Sequence, residues 1–107
     1  MKDLTKRKPI RSKAIRQAAN GEACTVCGVN NGTTVFCHLN ESWAGKGTGQ
    51  KADDIAGMFL CAHHHDIYDR RKPALRADDH MFHGDVLRAM YRTIRRLLEL
   101  GIIEIKP

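Results

Sequence analysis

The sequence predicts a small α+β domain stapled by a metal ion and closed by a long amphipathic helix. Three observations predict it. Cys24-Thr-Val-Cys27 and Cys61-Ala-His63-His64 are two ligand pairs far apart in the chain. Two short stretches, Thr33 to Cys37 and Ile55 to Leu60, are β-branched and apolar enough for strands. Val86, Leu87, Met90, Ile94, Leu97 and Leu98 recur at helical spacing. With 107 residues, the chain allows one domain with a modest core, and a core of that size gains from a staple.

Residues 1–20 read as a basic arm and a short helix. Lys2, Lys6, Arg7, Lys8, Arg11, Lys13 and Arg16 stand there against Asp3, so the arm carries the whole formal charge of +6 and residues 21–107 are neutral overall. Such an arm, with Lys6, Arg7, Lys8 and Arg11 as candidate phosphate contacts, suits DNA, because each neutralised phosphate releases counterions. A solvated tail explains the same charge run. Ser12 has the form of an N-cap, Ala14, Ile15, Ala18 and Ala19 keep helical spacing, and Asn20-Gly21 ends the helix.

Residues 21–107 read as a single domain, with its core at about 33–72 and its closing helix at about 83–100. Cys24 to Cys27, followed by Gly28, has the form of a zinc knuckle. Asn30-Asn31-Gly32 turns the chain into the first strand, and His38 lies at the end of that strand. Trp43 to Lys51 is glycine-rich without apolar periodicity, so it reads as an irregular loop, from which Lys46 and Lys51 can reach a DNA backbone. Asp53-Asp54 leads into the second strand. Ala62 to about Arg71 reads as a helix that Pro73 ends. On the closing helix, Arg88, Arg92, Arg95 and Arg96 face away from the apolar stripe, as phosphate contacts or as a solvated face, and Gly101 stops the helix. Ile102, Ile103 and Ile105 read as a short final strand. His80 and His83 are expected to be exposed, and His63 to face solvent or DNA.

Cys24, Cys27, Cys61 and His64 have the residue types and paired spacing of a closed zinc site. His63 also follows Cys61 at a ligand-compatible distance, but the spacing of His64 mirrors the first pair. Structural zinc can contribute on the order of 10 kcal/mol to folding. Adjacent helical residues point about 100° apart, so His64 and His65 do not readily share an ion. His65 and Asp69 are four apart and share a face. They can hold a catalytic divalent cation (Mg²⁺, Mn²⁺ or Zn²⁺) and leave positions open for phosphate and water. His38 is then free to act as a general base. No apolar run approaches a membrane span and no apolar leader follows Met1, so the expectation is a soluble, unsecreted protein in a reducing compartment, where cysteines beside histidines point to metal.

The order of strand, His, loop, acidic or amide residue, strand, Cys-x-x-His, His and helix resembles the His-Asn-His (HNH, ββα-metal) endonucleases. More narrowly it is similar to the phage and prophage nuclease family typified by YbcO. The resemblance rests on Val35-Phe-Cys-His38-Leu, the Gly45-Lys-Gly-Thr-Gly49 loop, Asp54-Ile-Ala and Cys61-x-x-His64-His65-Asp66-x-x-Asp69-Arg70-Arg71. It covers roughly residues 20–72, and the carboxy-terminal helix more loosely. It implies a ββα-metal core and cleavage of DNA with His38 as the base that activates water. It also implies Asp54 in the place of the superfamily's Asn, His65 and Asp69 on the catalytic metal, and Arg70 and Arg71 near DNA. A phage recombination or DNA-processing setting in the bacterial cytoplasm, with a recombination protein as partner, is implied too. Cys37 stands where many relatives place a metal-binding Asp or His; a ligand and a packed strand residue are both open readings, and free cysteine is commonly buried. The alternative function is a zinc-stapled DNA-binding module or recombination adaptor without turnover.

Overall fold

Ser12 is extended and its hydroxyl accepts the N–H of Ile15, which starts helix α1 at Lys13–Ala18. This computed structural model describes residues 8–69 and 81–107, so Lys6, Arg7, Arg70, Arg71 and His80 lie outside the described residues. Strands β1 (Val35–His38) and β2 (Gly57–Leu60) pair antiparallel, with Val35 opposite Leu60 and His38 opposite Gly57. Helix α2 spans Ala62–Asp69 and α3 spans His83–Glu99. Among the described residues this is an α+β fold of one two-stranded sheet and three helices. None of these helices is long and apolar enough to cross a membrane.

Alternation along the strands divides the core in two. Phe59 packs with Ile15 of α1, Ala19 at the end of that helix and Leu97 of α3, with Phe36 against them. Met58 and Leu60 pack with Cys37, Leu39, Cys61 and Ala89. All four residues of β2 are buried, which explains its unbroken apolar reading. Its outer edge is closed by side chains: Phe59 donates its N–H to the buried Thr93 hydroxyl at 3.0 Å, and the Thr25 hydroxyl donates to the Phe59 carbonyl at 2.8 Å. An edge satisfied this way offers no template for a further strand.

Several sequence expectations are corrected. The first strand begins at Val35, because Thr33 is used elsewhere: its hydroxyl accepts the N–H of Ala62 at 3.0 Å and starts α2. Residues 102–105 form no strand. Gly101 takes a left-handed conformation (φ 72°), and the N–H groups of Ile102 and Ile103 return to the Leu97 carbonyl and satisfy the end of α3. Within the loop, Ser42–Ala44 forms a 3-10 turn, and Gly47 bridges Gln50. On α3 the predicted stripe is only partly buried. Leu87 and Ile94 are exposed, whereas Ala89 and Thr93 lie at the sheet because small side chains permit the close approach that the Thr93 bond needs.

Candidate functional site

The first knuckle is shaped by Gly28 (φ 77°), whose N–H returns to the Cys24 carbonyl at 2.9 Å, and it is tied to β2 by the bond from Thr25 N–H to the Phe59 carbonyl. The second pair lies at the start of α2, where Cys61 and His64 are one turn apart. His64 Nδ1 is 3.4 Å from Cys61 Sγ and 3.8 Å from Cys24 Sγ, and Cys27 Sγ is 3.9 Å from Cys61 Sγ. Tetrahedral zinc with ordinary Zn–S and Zn–N bonds sets its ligand atoms about 3.5–3.8 Å apart, so the four groups fit that ion. His64, not the exposed His63, belongs to this cluster. Burial, with the Cys24 and Cys27 thiols alongside, pushes the Cys61 thiol up to about 11. Burial acts the same way on Cys24 but is outweighed by the backbone N–H groups of Cys27, Cys61 and Val26, which hold its thiol below the usual value. Three thiols this close need a cation before all can ionise together.

A second group of residues opens on the other side of α2. A cleft of about 330 Å³ is lined by Cys37, His38, Asn40, Lys46, Lys51, His65 and Asp69, among others. His38 Nε2 is 2.7 Å from Asp54 Oδ1. The Asp54 side chain is 1% exposed; its Oδ2 accepts the N–H of Ser12 at 2.7 Å and lies 3.1 Å from Arg16 Nε. Burial opposes ionisation of this carboxyl, but the hydrogen bonds from His38 and Ser12 and the charge of Arg16 hold it below the ordinary value of 3.8. The basic helix thus anchors the carboxylate that anchors the histidine. Across the cleft His65 Nε2 is 3.0 Å from Asp69 Oδ2, and Asn40 Nδ2 donates to Asp69 Oδ1 at 3.3 Å. Tyr68 accepts the N–H of Asn40 at 2.9 Å and fixes that residue in turn. The ligand atoms of Cys37, His65 and Asp69 all lie within 4.8 Å of one another.

The structure therefore brings His38 to Asp54 and His65 to Asp69, and places Lys46 and Lys51 on the same cleft. The Arg11 guanidinium donates to the carbonyls of Ala52 at 2.7 Å and Lys51 at 2.9 Å and lies 3.6 Å from Asp54, so it clamps the loop while its side chain stays partly exposed. Of the α3 cations, Arg92 donates to the Thr25 carbonyl, Arg95 pairs with Glu99, and Arg96 pairs with Glu22 and Glu99. Arg92 and Arg96 line a larger hollow of about 490 Å³ whose carboxylates, Glu22 and Glu99, are paired with Arg96. The smaller cleft, which sets His38 beside the Cys37, His65 and Asp69 cluster, is the candidate site. Sequence reasoning missed Ser12, Arg16 and Asn40, whose roles depend on contacts made 29 to 42 residues away.

A family model described as "Putative nuclease YbcO" matches residues 13–102. The chain belongs to this YbcO family. The matched span begins at α1 and ends just beyond α3, so it takes in both clusters. The chain is also similar to a solved structure described as "Structure of a putative bacteriophage protein from Escherichia coli str. K-12 substr. MG1655". The two are 28% identical with a TM-score of 0.55, over 82% of this chain and 100% of the other. No curated protein matches the chain. Membership of the YbcO family directs attention to nuclease chemistry, and the cleft beside α2 holds groups suited to it.

Proposed function

We propose that the protein is a metal-dependent DNA endonuclease that hydrolyses phosphodiester bonds, and that β1, β2 and α2 are the ββα-metal core of an HNH-type enzyme. One observation carries the reading: His38, held at 2.7 Å by the buried Asp54, opens on the same cleft as the Cys37, His65 and Asp69 cluster. With Nε2–H donated to Asp54, the neutral imidazole keeps its lone pair on Nδ1. Nδ1 takes a proton from water as its oxygen attacks phosphorus, and the Asp54 carboxylate stabilises the resulting imidazolium. Lys46 and Lys51 hold phosphate oxygens at the rim of the cleft. His65 and Asp69 would hold a divalent cation, which would supply Lewis-acid stabilisation of the developing charge and the leaving oxygen. The zinc held by Cys24, Cys27, Cys61 and His64 is structural in this account, since four protein ligands leave no open position. The phage-protein neighbour fits a phage setting in a bacterial host cell, and DNA as the substrate, in recombination or DNA processing, belongs to the nuclease reading proposed here.

The test is relaxation of supercoiled plasmid by purified protein with Mg²⁺, Mn²⁺ or Zn²⁺, with and without chelator, beside His38→Ala. Nicking that requires metal and falls at least about 100-fold in the variant is expected. Equal nicking by both proteins, or none with any metal, overturns the catalytic assignment and leaves a zinc-stapled DNA-binding module.

A further inference from the structure

Cys37 is 2% exposed in the core, yet its sulfur is within ligand reach of two groups on α2. Packing alone explains the burial and not the company. His65 and Asp69 are aligned by their i, i+4 spacing and by Asn40, which occupies Asp69 Oδ1 and leaves Oδ2 facing His65. Cys37 comes from a different element, β1, whose alternation turns it away from the His38 and Phe36 face and toward α2. Three donors of three chemical types thus converge at one edge of a cleft that stays open to solvent.

The geometry points to Cys37, His65 and Asp69 as a three-ligand site for a thiophilic divalent cation of the zinc class, with Cys37 as the ligand that selects the metal. The assignment to catalysis rests on the nuclease reading; the metal class does not. Mg²⁺ takes oxygen ligands in near-octahedral array and has little affinity for sulfur, whereas Zn²⁺ and its cobalt substitute accept thiolate, imidazole and carboxylate together. Three protein ligands with a remaining position for water is the composition of a catalytic zinc site and differs from the closed four-ligand site nearby. On binding, the Cys37 thiol gives its proton to solvent and its sulfur donates an electron pair to the cation. The three donors line the same cleft as His38.

The test uses the full chain with one zinc already bound at the closed site, titrated with Co²⁺ and read by absorption. Binding of one further equivalent with a near-ultraviolet sulfur-to-cobalt band is expected, and about a thousandfold excess of Mg²⁺ leaves the band in place. Cys37→Ser loses the band and keeps its one zinc. Cys37→Asp binds the second equivalent without the band and gains Mg²⁺ or Mn²⁺ binding. If the Cys37 variants do not fold, His65→Asn on the partly exposed side of the site weakens cobalt at least about tenfold in folded protein. No second equivalent in wild type, a second equivalent without the band, a band that survives Cys37→Ser, or unchanged cobalt affinity in His65→Asn overturns the site. Nicking with Mg²⁺ and no cobalt band removes the metal class and leaves the nuclease. A cobalt band without nicking under any metal leaves the site and removes the nuclease.

Discussion

Asp54 joins the amino-terminal helix to the base, and its replacement separates the two parts of that role. Its carboxylate makes two hydrogen bonds of 2.7 Å, to Ser12 N–H and His38 Nε2, with Arg16 and Arg11 beyond. The arginine side chains are 48% and 39% exposed, so solvent screens them to at most about 1 kcal/mol each. The two bonds to a buried charge are worth about 1.5–3 kcal/mol each, which places Asp54→Ala at about 3–5 kcal/mol of lost stability. Against a total of about 5–15 kcal/mol, this lowers Tm by roughly 15–25 °C. Asp54→Asn keeps the shape and an acceptor for Ser12, and its loss is about 1–2 kcal/mol. The folded-state value of Asp54 lies below 3.8, so its stabilisation is complete above that value and is lost as pH falls through the lower, folded value. The gap between wild type and Asp54→Asn is therefore level from neutral pH to about pH 5 and closes in stronger acid. Urea denaturation followed by circular dichroism, with both proteins at each pH, measures it. Asp54→Ala within about 0.5 kcal/mol of wild type, or a gap that does not close in acid, refutes this account of the carboxylate.

Removing zinc from Cys24, Cys27, Cys61 and His64 with a strong chelator is expected to unfold most of the chain at 25 °C, read as lost helical circular dichroism that returns on adding zinc. Gly57→Ala brings a Cβ to 2.5 Å from the Phe36 ring and 2.7 Å from the Cys37 carbonyl, backbone that cannot yield easily. About 1–3 kcal/mol of stability is lost, with line broadening at His38 in nuclear magnetic resonance spectra. Thr93→Val leaves the buried Phe59 N–H unpaired, and calorimetry should show a loss of about 1–3 kcal/mol with no change in zinc content.

What the sequence disclosed was mostly local. The Ser12 cap, the paired knuckle residues and the i, i+4 spacing of His65 and Asp69 depend on neighbours within a few residues, and each is found in the structure. Helix geometry also separated His64 from His65, and the two point to different clusters. Thr33 was misread because its β propensity says nothing of the α2 N–H it caps 29 residues on. The isoleucines after Gly101 looked like a strand because composition cannot register that the Leu97 carbonyl of α3 already claims the N–H groups of Ile102 and Ile103. Arg11 and Arg16 counted as charge, whereas their fate was set by a carboxylate about 40 residues away. Cys37 was open to two readings, and three-dimensional placement brings burial and ligand reach together in one residue.

The most direct test of the central claim is chemical rescue at the base. His38→Gly, with its zinc content and fold intact, should relax supercoiled plasmid at least about 100-fold more slowly than wild type, and added imidazole should restore part of the rate in a metal-dependent way. Plasmid relaxation by His38→Gly at the wild-type rate contradicts the account, as does a slow rate that imidazole leaves unchanged while Cys37, His65 and Asp69 still bind metal.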